Sequence, residues 1–71
     1  MYFERIKTIR QERNVKQLDI IEYLKIDPST YKRYESGKRP LPIHHLKTLC
    51  EFYNISADYI LGLTDEQKPI K

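Results

Sequence analysis

Four basic side chains lie within eight consecutive residues of this chain. The segment contains one acidic residue, Glu35, and four basic ones: Lys32, Arg33, Lys38 and Arg39. Its net charge of +3 equals the formal net charge of the whole chain, so the remaining residues are neutral together. Such a basic patch on a neutral body can attract phosphate. A solvated basic turn would carry the same charges, so the cluster alone leaves both interpretations open.

The chain has two short predicted helices, Gln17–Lys25 and Pro28–Ser36, and the basic segment begins within the second of them. A turn of a few residues joins them, which is the layout of a helix-turn-helix. Asp27 is a favourable N-cap, and Pro28 suits the first helical position. Gly37 can adopt the left-handed conformation that ends a helix.

The helix Pro28–Ser36 has two different faces when its residues are placed about 100° apart. One face is small, polar and basic: Pro28, Ser29, Lys32, Arg33 and Ser36. The other face has the residues that can pack on a core: Thr30, Tyr31 and Tyr34. This division suits a helix that lies in the major groove of DNA with its first residues nearest the bases.

The outward residues of this helix can contact bases. Arg33 can donate two hydrogen bonds to O6 and N7 of guanine, and Lys32 can do so less specifically or reach a phosphate. Ser29, the second residue of the helix, is short enough to let the start of the helix approach the bases closely.

Three further residues are candidates for phosphate contacts. Lys38 and Arg39, on the following loop, can position the protein on the duplex without specifying a sequence. Gln17 begins the preceding helix, where its side chain and the helix dipole can together hold a phosphate.

The rest of the chain shows helical patterning and no strand alternation. Tyr2, Ile6 and Ile9 predict a first helix over Phe3–Arg13. A fourth helix begins near Pro42, on the evidence of an apolar stripe formed by Leu46, Leu49, Cys50 and Tyr53. Ser56 caps a short fifth helix that Gly62 ends. We therefore predict an all-α fold, a compact five-helix bundle over residues 1–63, with a polar C-terminal tail over residues 64–71 that frays.

Several runs of the sequence resemble the Cro/C1-type (XRE) helix-turn-helix family, which includes phage repressors. The resemblance covers about residues 6–64. It is carried by Ile6-x-x-Ile9-Arg10, Gln17-x-x-Ile20, Tyr34-Glu35-Ser36-Gly37-Lys38-Arg39 and Ala57-Asp58-Tyr59-Ile60-Leu61-Gly62. It implies a lambda-repressor-like DNA-binding domain whose third helix enters the major groove, and it supports Gln17 as a phosphate contact. It also implies a structural ion pair between Arg10 and Glu35.

This sequence departs from the family pattern at three positions. Ile21 stands where the family usually has alanine, and Lys25 stands where it has glycine in the turn. A positive φ at Lys25 would be strained, so we expect the turn to differ here. Pro28 is also unusual and removes an N–H that could approach a phosphate.

Other kinds of site are less consistent with the sequence. His44 and His45 point about 100° apart and lack a second pair of ligands, so with Cys50 they do not favour a zinc site. Cys50 belongs to the apolar stripe and is predicted to be an inert buried thiol. No cluster of catalytic residue types is evident, so we expect no enzyme activity, cofactor or small-molecule ligand. Tyr31, Tyr34, Tyr53 and Tyr59 are predicted core residues.

The composition indicates the compartment. A single cysteine fits a reducing environment, and no apolar run approaches the roughly 18 residues that would cross a bilayer. The charged start of the chain is not signal-like. We expect a cytoplasmic protein without membrane contact.

The sequence predicts a DNA-binding transcriptional regulator, a repressor that binds double-stranded operator DNA as a homodimer. Half-sites would lie about 34 Å apart, and we expect dimerisation through the fifth helix around Tyr59 and Leu63. The alternative is a protein-interaction module of the same fold, such as an antitoxin or an antagonist of another regulator. It would need the same core, but not the basic outward face.

Overall fold

The computed structural model describes the backbone of residues 2–71 and the side chains from Glu4 onward. Five helices follow one another: α1 (Tyr2–Glu12), α2 (Gln17–Leu24), α3 (Pro28–Ser36), α4 (Ile43–Tyr53) and α5 (Ala57–Ile60). No strand occurs in this part of the chain. The predicted all-α class and the order of five helices are confirmed. The side chain of Tyr2, predicted on the inner face of α1, lies outside the described side chains.

The helices end where the chain adopts the left-handed conformation. φ is +55° at Asn14, +53° at Asn54, and +78° at both Gly37 and Gly62. Glycine and asparagine adopt this conformation most readily, which is why the sequence predicts these helix ends.

One apolar core joins the helices. Its fully buried side chains come from α1 to α5 and the segment before α5: Ile6, Ile9, Ile20, Tyr31, Leu49, Ile55 and Ile60. α1 packs on both α3 and α5, while α2 packs on α3. The radius of gyration of the Cα atoms is 11.1 Å, which matches the ~11 Å expected of a compact chain of this length. The core therefore supports α3 from behind on two sides.

Lys25 corrects one expectation. The turn after α2 does not avoid the left-handed conformation: Lys25 has φ 57° and ψ 46°, and its N–H donates to the carbonyl of Ile21 at 2.9 Å. Lysine thus adopts the left-handed conformation that glycine adopts most readily. The Cβ of lysine makes this conformation costly by roughly 1–2 kcal/mol.

We expect Lys25→Gly to raise the free energy of unfolding by about 1 kcal/mol, because relief of the strain exceeds the added backbone entropy of the unfolded chain. The measurement is the urea midpoint at constant m-value. Lys25→Ala is the matched control, since it removes the same side chain but keeps Cβ. An equal gain from alanine would show that backbone strain is not the cause.

The C-terminal segment 64–71 is non-helical and makes contacts with the body of the domain. The N–H of Ser56 donates to the carbonyl of Lys68 at 2.7 Å, and Gln67 Nε2 donates to Glu12 Oε1 at 2.6 Å. Arg5 and Asp65 form an exposed ion pair at 2.6 Å. Polar groups of this segment therefore bond to α1 and to the start of α5.

None of the described helices is long and apolar enough to span a bilayer.

Candidate nucleic-acid interface

Helix α3 separates its residues as the helical wheel predicts. Tyr31 is completely buried, and Tyr34 and Glu35 are 4% and 6% exposed. On the opposite side Lys32 and Arg33 are exposed. The helix therefore packs through its aromatic face and presents its basic face to solvent, as an interface with DNA requires.

The N-terminal end of α3 is closed by Asp27. Oδ2 of Asp27 accepts a hydrogen bond from the N–H of Ser29 at 3.1 Å and another from the Ser29 hydroxyl. The bond from the Ser29 hydroxyl is the main reason that the pKa of the Asp27 carboxyl is lowered. Asp27, Pro28 and Ser29 are all exposed. An exposed carboxylate thus lies at the start of the candidate recognition helix, in addition to its predicted role as the N-cap.

The C-terminal end of α3 brings the two parts of the basic cluster together. Gly37 adopts φ +78° and ends the helix. The carbonyl of Arg33 then accepts hydrogen bonds from the N–H groups of Lys38 at 3.0 Å and Arg39 at 3.2 Å. The side chains of Lys38 and Arg39 are exposed. The basic loop is folded against the helix end that carries Arg33, so the cluster occupies one continuous region.

A buried carboxylate connects α3 to the rest of the domain. Glu35 Oε2 accepts from Arg10 Nε at 2.7 Å and from the Tyr31 hydroxyl at 2.6 Å. Glu35 Oε1 accepts from Arg10 Nη2 and from Gln17 Nε2, both at 3.1 Å. Arg10 also donates to the carbonyl of Val15 at 3.0 Å. The implied ion pair is therefore present, as part of a network that joins α1, α2 and α3.

The pKa of Glu35 results from two opposing effects. Burial raises the pKa of its carboxyl, but hydrogen bonds from Arg10, Tyr31 and Gln17 lower it by more than burial raises it. The pKa is therefore below its ordinary value. The carboxylate is ionised at neutral pH and accepts from every one of these donors.

Gln17 is half-buried, and its amide group faces inward to Glu35. An amide nitrogen carries two hydrogens, so one N–H of the Gln17 amide is not used by Glu35. The inward bond is not predictable from the sequence, because nothing in the local pattern shows that residues 17 and 35 meet. The phosphate contact of Gln17 stays a prediction.

Tyr53 and Tyr31 offer a matched test of this buried network. The hydroxyl of Tyr53 is buried and has no hydrogen-bond partner among the described residues, whereas that of Tyr31 donates to Glu35. We expect Tyr53→Phe to leave stability unchanged or raise it by up to ~1 kcal/mol, and Tyr31→Phe to lower it by about 1.5–3 kcal/mol. Urea unfolding of both variants measures the difference. Equal losses would show that the Tyr53 hydroxyl is also bonded.

The alternative sites find little support in the geometry. No group of three or more potential metal ligands occurs among the described residues. Cys50 is buried, and this burial, with a smaller effect from Glu51, raises the pKa of its thiol. The thiol therefore stays protonated, as expected of an inert core residue.

The position of Tyr59 bears on the expected contact between copies of the chain. Its side chain is 4% exposed, and the guanidinium of Arg5 covers the ring at 4.6 Å from the centroid. The prediction that Tyr59 is a core residue is confirmed, so its ring offers little surface to a second copy of the chain. Leu61 and Leu63 are 44% and 74% exposed and remain available near α5.

Comparisons with known proteins agree with this arrangement. Residues 3–66 match the family described as a helix-turn-helix domain. The chain is also similar to YobD of Bacillus subtilis (strain 168), named as an uncharacterized HTH-type transcriptional regulator. The two are 35% identical over 69 residues, which are 97% of this chain and 62% of that relative. The chain thus spans less than two thirds of the relative's length. No solved structure matches it.

Proposed function

Because the chain belongs to the Cro/C1-type (XRE) helix-turn-helix family, we propose that it is a sequence-specific DNA-binding transcriptional regulator that places α3 in the major groove. The observation that carries the proposal is the division of α3, with Tyr31 and Tyr34 buried and Lys32 and Arg33 exposed. The bonds from Lys38 and Arg39 to the Arg33 carbonyl support it, because they keep the basic loop beside the helix.

In this proposal the contacts divide into two groups. Arg33 and Lys32, with Pro28 and Ser29 at the start of the helix, face the base edges. Lys38 and Arg39 contact phosphates and fix the orientation of the protein. Gln17 adds a phosphate contact from the start of α2.

The protein binds operator DNA as a homodimer and acts as a repressor in the cytoplasm, with residues 1–63 as the DNA-binding unit. The exposure of Leu61 and Leu63 supports an apolar contact between copies near α5. Sedimentation with and without operator DNA measures the assembly, and a Leu63→Asp variant should prevent it.

Titration of the protein with mixed-sequence duplex at low and high salt tests the proposal. Binding that weakens steeply with salt is expected, because basic side chains displace counterions from the phosphates. Absence of salt-sensitive binding would instead favour the protein-interaction module, an antitoxin or an antagonist of another regulator.

Lys38→Ala and Arg39→Ala should weaken binding to all sequences by similar factors. Each variant removes one phosphate contact, so the slope of log K against log salt should fall by about 0.9. The measurement is a salt titration against an operator and a scrambled duplex. Lys47→Ala, an exposed lysine on α4, is the control. A sequence-dependent loss in Lys38→Ala would move that residue to the base readers.

A further inference from the structure

The first turn of α3 directs its hydrogen-bond donors to Asp27. The N–H and the hydroxyl of Ser29 both donate to the Asp27 carboxylate, and the N–H of Thr30 donates to the Asp27 carbonyl at 3.1 Å. Pro28 has no N–H. Thr30 is half-buried, so the groups that the exposed residues of this turn still offer to a ligand are acceptors: the carboxylate of Asp27 and the lone pairs of the Ser29 hydroxyl.

These acceptors lie on the surface proposed to face DNA. Asp27, Pro28 and Ser29 are exposed. Pro28 and Ser29 lie on the side of α3 opposite the buried tyrosines, and two hydrogen bonds hold the Asp27 carboxylate against Ser29. Ser29 lowers the pKa of Asp27 through its hydroxyl bond, so the carboxylate stays ionised and cannot donate. About one helical turn further along, Lys32 and Arg33 present only donors.

Base edges in the major groove distinguish these two kinds of surface. Cytosine N4 and adenine N6 are donors, whereas guanine and thymine present the acceptors O6 and O4 at the same place. An acceptor surface attracts the first pair and repels the second. Adenine also presents the acceptor N7 beside N6, so a carboxylate favours cytosine. Resting on the proposed function, we propose that Asp27 and Ser29 are specificity-determining residues that select cytosine at the start of α3, while the donor residues select guanine.

The carboxylate of Asp27 also has an unfavourable effect on DNA binding. A carboxylate at the leading edge of α3 repels phosphates and weakens sequence-independent binding. Only a contact with a base amino group offsets this repulsion, so Asp27 raises specificity at the expense of general affinity.

Asp27→Asn is the decisive variant, because asparagine is as good an N-cap as aspartate but carries a donor and no charge. Bound sequences are selected from random duplexes by the wild-type protein and by this variant. Asp58→Asn is the matched control, since it removes an exposed carboxylate from the first turn of α5. Circular dichroism verifies that each variant is folded.

The expected result is a change confined to one base position. Asp27→Asn should reduce the preference for cytosine there by at least about fivefold, in favour of adenine, which asparagine can bond through N6 and N7. It should also tighten binding to unrelated duplex and leave the guanine preference intact. Asp58→Asn should select the wild-type sequences.

Three results would overturn the proposal in distinguishable ways. If Asp27→Asn selects the same bases as the wild-type protein, Asp27 is only a cap. If the wild-type protein binds duplex without any base preference, the readout fails but DNA binding stands. If the wild-type protein binds no duplex, the proposed function fails as well.

Discussion

Glu35→Gln should lower the free energy of unfolding by about 3 kcal/mol, the lower end of the range for removing one partner of a buried ion pair. The carboxylate accepts four hydrogen bonds from three side chains, those of Arg10, Gln17 and Tyr31. The amide of glutamine keeps the shape but replaces one acceptor with a donor. It therefore leaves the guanidinium of Arg10 without its counter-charge and places a donor against donors.

The loss is large relative to the total stability of so small a domain, which is about 5 kcal/mol. It should be measured by urea unfolding, and also in the Lys25→Gly background if the single variant is partly unfolded. Arg10→Gln and the double variant complete a cycle that isolates the energy of the pair. A coupling energy near zero would show that the two residues act independently.

The same carboxylate makes stability depend on pH. The folded-state pKa of Glu35 is below its ordinary value, so the folded state binds its proton less readily than the unfolded chain does. The contribution of Glu35 is therefore complete above the unfolded pKa of about 4.3 and is lost as pH falls through the folded pKa. The difference in stability between the wild-type protein and Glu35→Gln should shrink below about pH 4. A difference that stays constant down to pH 2 would contradict this account.

The sequence predicts those features that depend on near neighbours in the chain. The span of α3 follows from Asp27, Pro28 and Gly37, and its two faces follow from the helical period. The resemblance supplies the Arg10–Glu35 pair, which joins positions 25 apart. Periodicity alone could not have matched these two partners.

The features that the sequence did not predict depend on tertiary contacts or on the direction of single hydrogen bonds. Gln17 turns inward because Glu35 needs a further donor. Residues 64–71 bond to α1 and α5 at separations that no local pattern encodes. The hydrogen bond from the Ser29 hydroxyl to Asp27 was predictable in principle, because a residue two positions after an Asp N-cap lies within reach of its carboxylate.

Arg33→Ala should lower affinity for the operator by about 1–3 kcal/mol, roughly 5- to 150-fold, while affinity for unrelated duplex changes little. The exposed guanidinium has the five fixed donors that match O6 and N7 of guanine. Loss of that contact removes discrimination at one base pair. Binding of operator duplexes with each base substituted at each position measures the effect.

Arg33→Lys separates the shape of this side chain from its charge. Lysine keeps the positive charge, so attraction to phosphates and the salt dependence should stay at the wild-type level. It lacks the planar fork, so the guanine preference should fall nearly as far as in Arg33→Ala. If Arg33→Lys keeps the affinity and the guanine preference of the wild-type protein, the positive charge alone accounts for the role of Arg33. If Arg33→Ala weakens every sequence equally, Arg33 contacts phosphate and the base-reading role of α3 must lie with Asp27, Ser29 and Lys32.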